Sequence, residues 1–304
     1  VVPVDTKIQN VSDDLFLITL APPLGGFGSF ISAWLYQGDI TYLVDVGPSS
    51  TAQGLISTLD NLNIQHLDFI LLTHIHLDHA GAIGEVAVRF PKTPIVCHPA
   101  GIPHLMEPSR LWEGTKKVLG ETALAYGPIQ AVSQNRFLDA QQFASESIMP
   151  IITPGHAAHH VSYLTKPYLF AGEAAGVHFA ISRDRVYMRP ATPPKFFFDI
   201  ALESVDKLIA SKPEKLCYGH YGMAPDAATM LQNHRRQLFD WKAIIGEEIK
   251  RSDAEDLIEA CVKRLLKEDS RLANLHNLSA DVQEREKYFL RNSINGFVGH
   301  LMSS

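Results

Sequence analysis

The chain has 304 residues, 46% apolar and 20% charged, with a formal net charge of −6. That balance suits a soluble globular protein, one large domain or two modest ones with an ample core. No polybasic run and no stretch of about 18 apolar residues occurs, which argues against nucleic acid or a membrane as partner and against a transmembrane helix.

The three cysteines, Cys97, Cys217 and Cys261, are odd in number and far apart, so they form neither a disulfide framework nor a CxxC zinc site. Val1–Asp5 lacks a charged-then-apolar signal pattern. A reducing, cytoplasmic setting is the simplest expectation.

Taken in order, Leu15 to Leu20 and Phe30 to Tyr36 read as strands. The glycine-rich loop between them lacks GxGxxG spacing and is no nucleotide loop. Its Phe27 is either an exposed turn aromatic or, as the family resemblance carried by residues 73–81 implies, a substrate contact. A third strand, Ile40 to Val46, ends in Asp45-Val46-Gly47-Pro48, and a helix follows to about Leu62. The apolar run Phe69-Ile70-Leu71-Leu72 leads into Thr73-His74-Ile75-His76-Leu77-Asp78-His79-Ala80-Gly81, and a helix from Ala80 to Phe90 and a strand Pro94 to Cys97 complete an alternating α/β half. His98 and His104 read as ordinary residues. Ser109 to Tyr126 reads as helical, with Leu111 and Trp112 assigned to core ahead of a substrate wall.

Further on, Ile148 to Thr153 is a strand leading into Thr153-Pro154-Gly155-His156. A strand opens at His160, and another, from Tyr168, ends in Glu173. A hairpin is expected around Ser182-Arg183-Asp184-Arg185. Of Phe196-Phe197-Phe198, three adjacent aromatics, at least one must leave the core. A helix spans Asp199 to Ser211, and a short strand from Leu216 ends in His220. Beyond Pro225 the apolar residues recur at helical steps: Leu231, His234, Leu238, Trp241, Ile245 and Ile249; then Leu257, Cys261 and Leu265, behind a Ser252/Glu255 capping box; then Leu290, Ile294, Phe297 and Leu301.

Four metal-competent side chains within six residues form the centre of this pattern. On a helix, His74 and His76 would lie about 200° apart and could not share an ion. At the end of a strand they face the same way, with Asp78 and His79 curling back at a turn. The motif therefore belongs on a strand-to-helix loop, and its imidazoles and carboxylate suit zinc, iron or manganese.

His74-x-His76-x-Asp78-His79, with the strand before it and the Ala-Gly after it, resembles the signature of the metallo-β-lactamase superfamily. The resemblance implies a four-layer αββα sandwich. Here residues 1–223 would form that catalytic domain and 224–304 a C-terminal helical subdomain, packed beside the active-site edge or used in a homodimer. It implies a first metal held by His74, His76 and His156 and a second held by Asp78, His79 and His220. Glu173 would bridge or bind one of them, standing where most relatives have Asp. It suggests that Asp45 supports the metal loop from behind. His159 replaces a usual Gly and brings an extra imidazole near the site.

The implied activity is metal-dependent hydrolysis by an activated water. Two divalent ions, zinc foremost with iron or manganese as substitutes, would share that water; with one ion, Asp78 becomes the general base. The expected substrate is a small molecule of ester type, a thioester or lactone, and the helical tail is reminiscent of the glyoxalase II group. A true β-lactamase fits less well, because Asp78 and Glu173 depart from its usual ligands. Two other classes stay open. One is an iron-dependent oxidoreductase of persulfide dioxygenase or diiron type. The other is a non-catalytic scaffold, against which the complete ligand set argues.

Overall fold

The computed structural model describes residues 6–182, 185–251, 253 and 255–303. The chain divides into two compact units. The first comprises the residues up to Ile152 together with His159–Tyr163; the second comprises Thr153–Ala158 and the chain from Leu164 onward. The boundary expected at residue 223 falls inside the second unit.

The first unit is built on a seven-stranded sheet whose spatial order follows the chain: β1 (Lys7–Asn10), β2 (Leu15–Leu20), β3 (Ile31–Gln37), β4 (Thr41–Val44), β5 (Phe69–Leu71), β6 (Ile95–Cys97) and β7 (Phe137–Asp139). β1 to β4 form an antiparallel meander, and β4 to β7 run parallel. Parallel neighbours require crossovers. These are supplied by α1 (Ala52–Asn61), α2 (Leu77–Ala80) with α3 (Ile83–Arg89), and α4 (Ile102–Met106), α5 (Ser109–Leu119) and α6 (Glu121–Tyr126). The parallel strands are short and wholly apolar at their centres: Ile70, Leu71, Ile95 and Val96 are fully buried. β8 (Met149–Ile152) follows, and β9 (Val161–Thr165) begins in this unit.

Several expectations need correction. Phe27 is neither exposed nor open to a ligand; it is buried, edge-on to Phe30 at 5.4 Å and to Tyr126 at 6.2 Å. Helix 80–90 starts earlier, at Leu77, and breaks at Gly81–Ala82. Helix 109–126 breaks at Gly120, whose φ of 53° ends α5. No residue of α5 is buried, so Leu111 and Trp112 are half-buried surface residues and not core.

The second unit holds β10 (Tyr168–Gly172), the hairpin of β11 (Val177–Ser182) and β12 (Arg185–Arg189), α7 (Phe198–Ala210), β13 (Lys215–Tyr218), β14 (Met223–Ala224), α8 (Ala227–Glu248), α9 (Leu257–Glu268) and α10 (Ala280–Ser303). β10 and β13 pair in parallel, and β13 and β14 antiparallel. Arg183 and Asp184, around which the hairpin was expected, lie outside the described residues, as do Val1–Asp5 and Ser252. The helix expected behind Ser252 begins at Leu257, with Asp256 at its N-cap position.

The spacing predicted for the tail is realised. Leu238, Trp241, Ile245, Leu257, Cys261, Leu265, Leu290, Ile294 and Phe297 meet in one core with Phe196 and Phe198, while Phe197 points outward, 58% exposed. Each such side chain stabilises the fold by roughly 1.5–3 kcal/mol relative to exposure. Asp269 is buried here without a cationic partner of equal burial. Its carboxylate accepts from Gln237 Nε2 (2.6 Å), Trp241 Nε1 (2.9 Å) and the backbone N–H of Arg271 (3.0 Å), which offsets its desolvation. No helix among the described residues is long and apolar enough to cross a membrane.

Candidate metal centre

In the first unit the His-rich motif sits on the connection between β5 and α2, as its spacing predicts, but β5 ends at Leu71, before His74. His76 is the N-cap residue of α2, and Asp78 and His79 occupy that helix's only full turn. The loop is fixed by Asp45, the residue after β4. β4 and β5 pair in parallel with Val44 opposite Leu71, which brings Asp45 beside Leu72 and its side chain within reach of Thr73. Asp45 adopts a φ of 57°, a left-handed conformation that Asp tolerates better than most residues. Its Oδ1 accepts the Thr73 backbone N–H at 2.8 Å; its Oδ2 accepts the Thr73 hydroxyl and His79 Nδ1–H, both at 2.8 Å.

These bonds determine where the imidazole protons lie. A carboxylate only accepts, so His79 carries a proton on Nδ1, and in the neutral imidazole Nε2, 3.7 Å from Asp78 Oδ2, is the lone pair. The Thr73 hydroxyl has given its one hydrogen to Asp45, so its oxygen accepts from His74 Nδ1 at 3.1 Å. His74 Nε2 is then also a lone pair, and it faces His76 Nδ1 at 3.0 Å. Carboxylate or hydroxyl behind the ring and a bare nitrogen in front is the arrangement metal-ligating histidines adopt.

Gly81 explains the Ala-Gly that ends the motif. A Cβ there would lie 2.9 Å from both Pro48 Cα and Ser49 N and would strike the carbonyl of Leu77. The backbones of the Asp45 loop and of α2 therefore touch, joined further by Val46 and Gly47 N–H groups donating to the carbonyl of His79. His159 and His160 belong to this unit. His160 is fully buried, its ring stacked 5.1 Å from that of His74; the His159 ring centroid is 6.3 Å from His74 and 5.9 Å from His76. His98 bonds instead with Gln141, and His104 is exposed.

The second unit gathers His156, Glu173 and His220. Parallel pairing of β10 with β13 sets Gly172 opposite Tyr218, and Gly219 N–H donates to the Gly172 carbonyl, so the residues that follow each strand emerge side by side. Glu173 Oε2 is 2.8 Å from His156 Nε2, and Oε1 is 3.4 Å from His220 Nε2. His156 Nδ1–H donates to the carbonyl of Ala191 at 2.9 Å, so its Nε2 is the atom turned to the carboxylate. Two electron-rich atoms at 2.8 Å need a positive charge between them, a proton or a metal ion. Burial alone would push the Glu173 carboxyl up, but the charges of His156 and His220 beside it hold it well below the usual carboxylate range. A buried carboxylate with two imidazole Nε2 atoms turned toward it is a donor set that fits a divalent transition metal in place of those protons.

Sequence reasoning missed the supports of this second set. The acceptor for His156 is a backbone carbonyl, which leaves no residue-type signal. Tyr221 donates through its hydroxyl to Glu286 at 3.3 Å. Arg189, 3% exposed, ends β12 just before Pro190; a charge following Val186-Tyr187-Met188 was an available hint.

The family described as the metallo-beta-lactamase superfamily matches residues 26–220. The metallo-beta-lactamase fold-containing protein ST1585 of Sulfurisphaera tokodaii is 27% identical over 214 residues, 67% of this chain and 77% of that protein. The crystal structure of ST1585, there attributed to Sulfolobus tokodaii, covers 96% of this chain and 100% of its own at a TM-score of 0.64 and 22% identity. That of a metallo-beta-lactamase family protein from Thermus thermophilus, TTHA1429, covers 97% of this chain and 95% of its own at 0.66 and 18% identity. A hydroxyacylglutathione hydrolase of Buchnera aphidicola is 26% identical over 194 residues, 62% of this chain; the match spans 60% of that protein's length. The two structural likenesses show the fold, mixed α/β with several sheets and C-terminal helices, as the motif implied.

Proposed function

The chain belongs to the metallo-β-lactamase superfamily, and on that footing we propose that it is a metal-dependent hydrolase acting on a small ester-type substrate, a thioester or lactone. The observation that carries this reading is the proton arrangement: Asp45 and Ala191 each take an imidazole Nδ1–H, leaving the Nε2 atoms of His79 and His156 as ligands. In this reading His74, His76 and His156 hold one ion, Asp78, His79 and His220 hold another, and Glu173 bridges or binds one of them. The family match supports it, since residues 26–220 take in all seven. The thioester preference is supported by the hydroxyacylglutathione hydrolase relatives.

Bound divalent ions supply an acidified water and a Lewis acid for the scissile oxygen. The chain's own contribution is to hold the ligands rigid and in the right protonation state. Asp45 keeps the His79 and His74 rings oriented; Glu173 stays ionised although buried. Asp78, with 15% of its side chain exposed, is the carboxylate of the set most open to a water, and it serves as ligand or, with one ion bound, as general base.

Elemental analysis of protein prepared without added metal is the test. About two zinc ions per chain, with hydrolysis of thioester or lactone, is the expected result. His76→Ala should abolish most metal binding and activity while leaving the fold intact. Full activity in that variant would overturn the ligand assignment. Iron in place of zinc, with oxygen consumption, would replace the hydrolase with an oxidoreductase.

A further inference from the structure

α10 packs its apolar face, Leu290, Ile294 and Phe297, into the core of the second unit. A second stripe on the same helix is not apolar. Glu286, Phe289, Ser293 and Gly296 follow one another at steps of three and four and so share a face. All four meet one segment of chain. Arg189 Nε donates to Glu286 Oε2 at 2.6 Å, and its guanidinium lies 5.3 Å over the Phe289 ring. Ser293 Oγ donates to the carbonyl of Pro190 at 2.9 Å, and Thr192 Oγ1 donates back to the carbonyl of Ser293 at 3.0 Å. At Gly296 a Cβ would lie 2.8 Å from the carbonyl oxygen of Pro193 and closer still to that of Thr192.

Residues 189, 190, 192 and 193 are thus each fixed by α10. Ala191, between them, presents the carbonyl that accepts from His156 Nδ1. The same helix reaches the other two residues of the set. The hydroxyl of Tyr221, which directly follows His220, donates to Glu286, and Tyr221 sits at a φ of 63°. Arg189, held by Glu286, also lies within the electrostatic reach of Glu173. Core packing explains Leu290, Ile294 and Phe297. It does not explain a buried carboxylate shared between Arg189, Arg285 and Tyr221, or a glycine that touches backbone.

We propose that α10 is a positioning element for the metal site: through Glu286, Ser293 and Gly296 it sets the orientation of His156 and the placement of His220 and Glu173. This rests on the ligand assignment above. Two glycines of the helix make the test. Gly296→Ala inserts one methyl against the Thr192 and Pro193 carbonyls; Gly299→Ala, one turn on, meets open space. Zinc affinity of the full chain is measured by chelator competition, and the ligand field by the visible spectrum of the cobalt(II) form. Gly296→Ala should weaken zinc binding about tenfold to a hundredfold, the range for partners behind a metal ligand, and alter the cobalt spectrum. Gly299→Ala should keep both unchanged. Should Gly296→Ala fail to fold, Ser293→Ala removes one hydrogen bond without adding an atom, and about a fivefold loss is expected.

A folded Gly296→Ala or Ser293→Ala chain with wild-type zinc affinity and cobalt spectrum overturns the role of α10 and leaves the site assignment standing. Equal losses in the Gly296 and Gly299 variants overturn it as well, since the effect would then belong to the helix as a whole. A wild-type chain that binds neither zinc nor cobalt defeats the site assignment itself.

Discussion

Asp45 makes three hydrogen bonds with two oxygens, and each has a different consequence. One holds the backbone at Thr73, one orders the Thr73 hydroxyl and through it His74, and one fixes His79. Asp45→Asn keeps the shape but replaces an acceptor with an NH2 group, which opposes either the Thr73 backbone N–H or the Thr73 hydroxyl together with His79 Nδ1–H. Zinc affinity should fall about 10- to 100-fold by chelator competition; an unchanged affinity would mean that His79 does not depend on this bond. At this scale the sequence was informative where side chains do the work in a short span. His74, His76, Asp78 and His79 announce themselves by spacing. Asp45, 28 residues before Thr73, was visible only through the family resemblance, and Ala191 not at all. A main-chain acceptor is the same in every residue, so nothing in composition or period marks it.

Elements are positioned here by close backbone approach. α2 abuts the loop after β4 because Gly81 has no side chain. Gly81→Ala should destabilise the fold by about 1–3 kcal/mol, the usual cost of overpacking, read as a lower urea midpoint; a midpoint equal to wild type would show that the two segments can separate freely. Strands and helices with a clear composition or period were legible: β2 falls where its apolar, β-branched and aromatic run puts it, and the residues expected on the apolar faces of α8, α9 and α10 are buried except Ile249 and Leu301, which are half-buried. β1 was not, because Lys7-Ile8-Gln9-Asn10 is exposed throughout and has no buried face to create a pattern. Helix breaks at Gly81–Ala82 and Gly120 were missed for the opposite reason: the apolar residues continue in step across them, and only the backbone turns.

For the molecule as a whole, stability should depend on pH in a stated direction. Burial lowers the His178 imidazole to about 4; burial, with the charge of Arg271, lowers His234 to about 3. Both are neutral in the folded state at pH values where the unfolded chain would protonate them. The unfolded state therefore binds more protons below about pH 6.5, and stability falls as pH drops from there toward 4 and 3. For His178 alone the loss is on the order of 3 kcal/mol. Lowering of Glu173 acts in the same sense, since its ionised form is lost as acid is added. Urea midpoints measured between roughly pH 7 and pH 4 should decline steadily, and His178→Gln should flatten the slope; a flat wild-type profile would contradict the burial of these rings. The contacts of α10 carry a consequence for biosynthesis. The ribosome releases His156, Glu173 and His220 well before α10, by on the order of ten seconds at ordinary elongation rates. Until that helix docks, the Ala191 carbonyl and the Tyr221 turn have no clamp, so the nascent chain should be a poor competitor for cellular zinc and should acquire its metal only once α10 has been made and has docked.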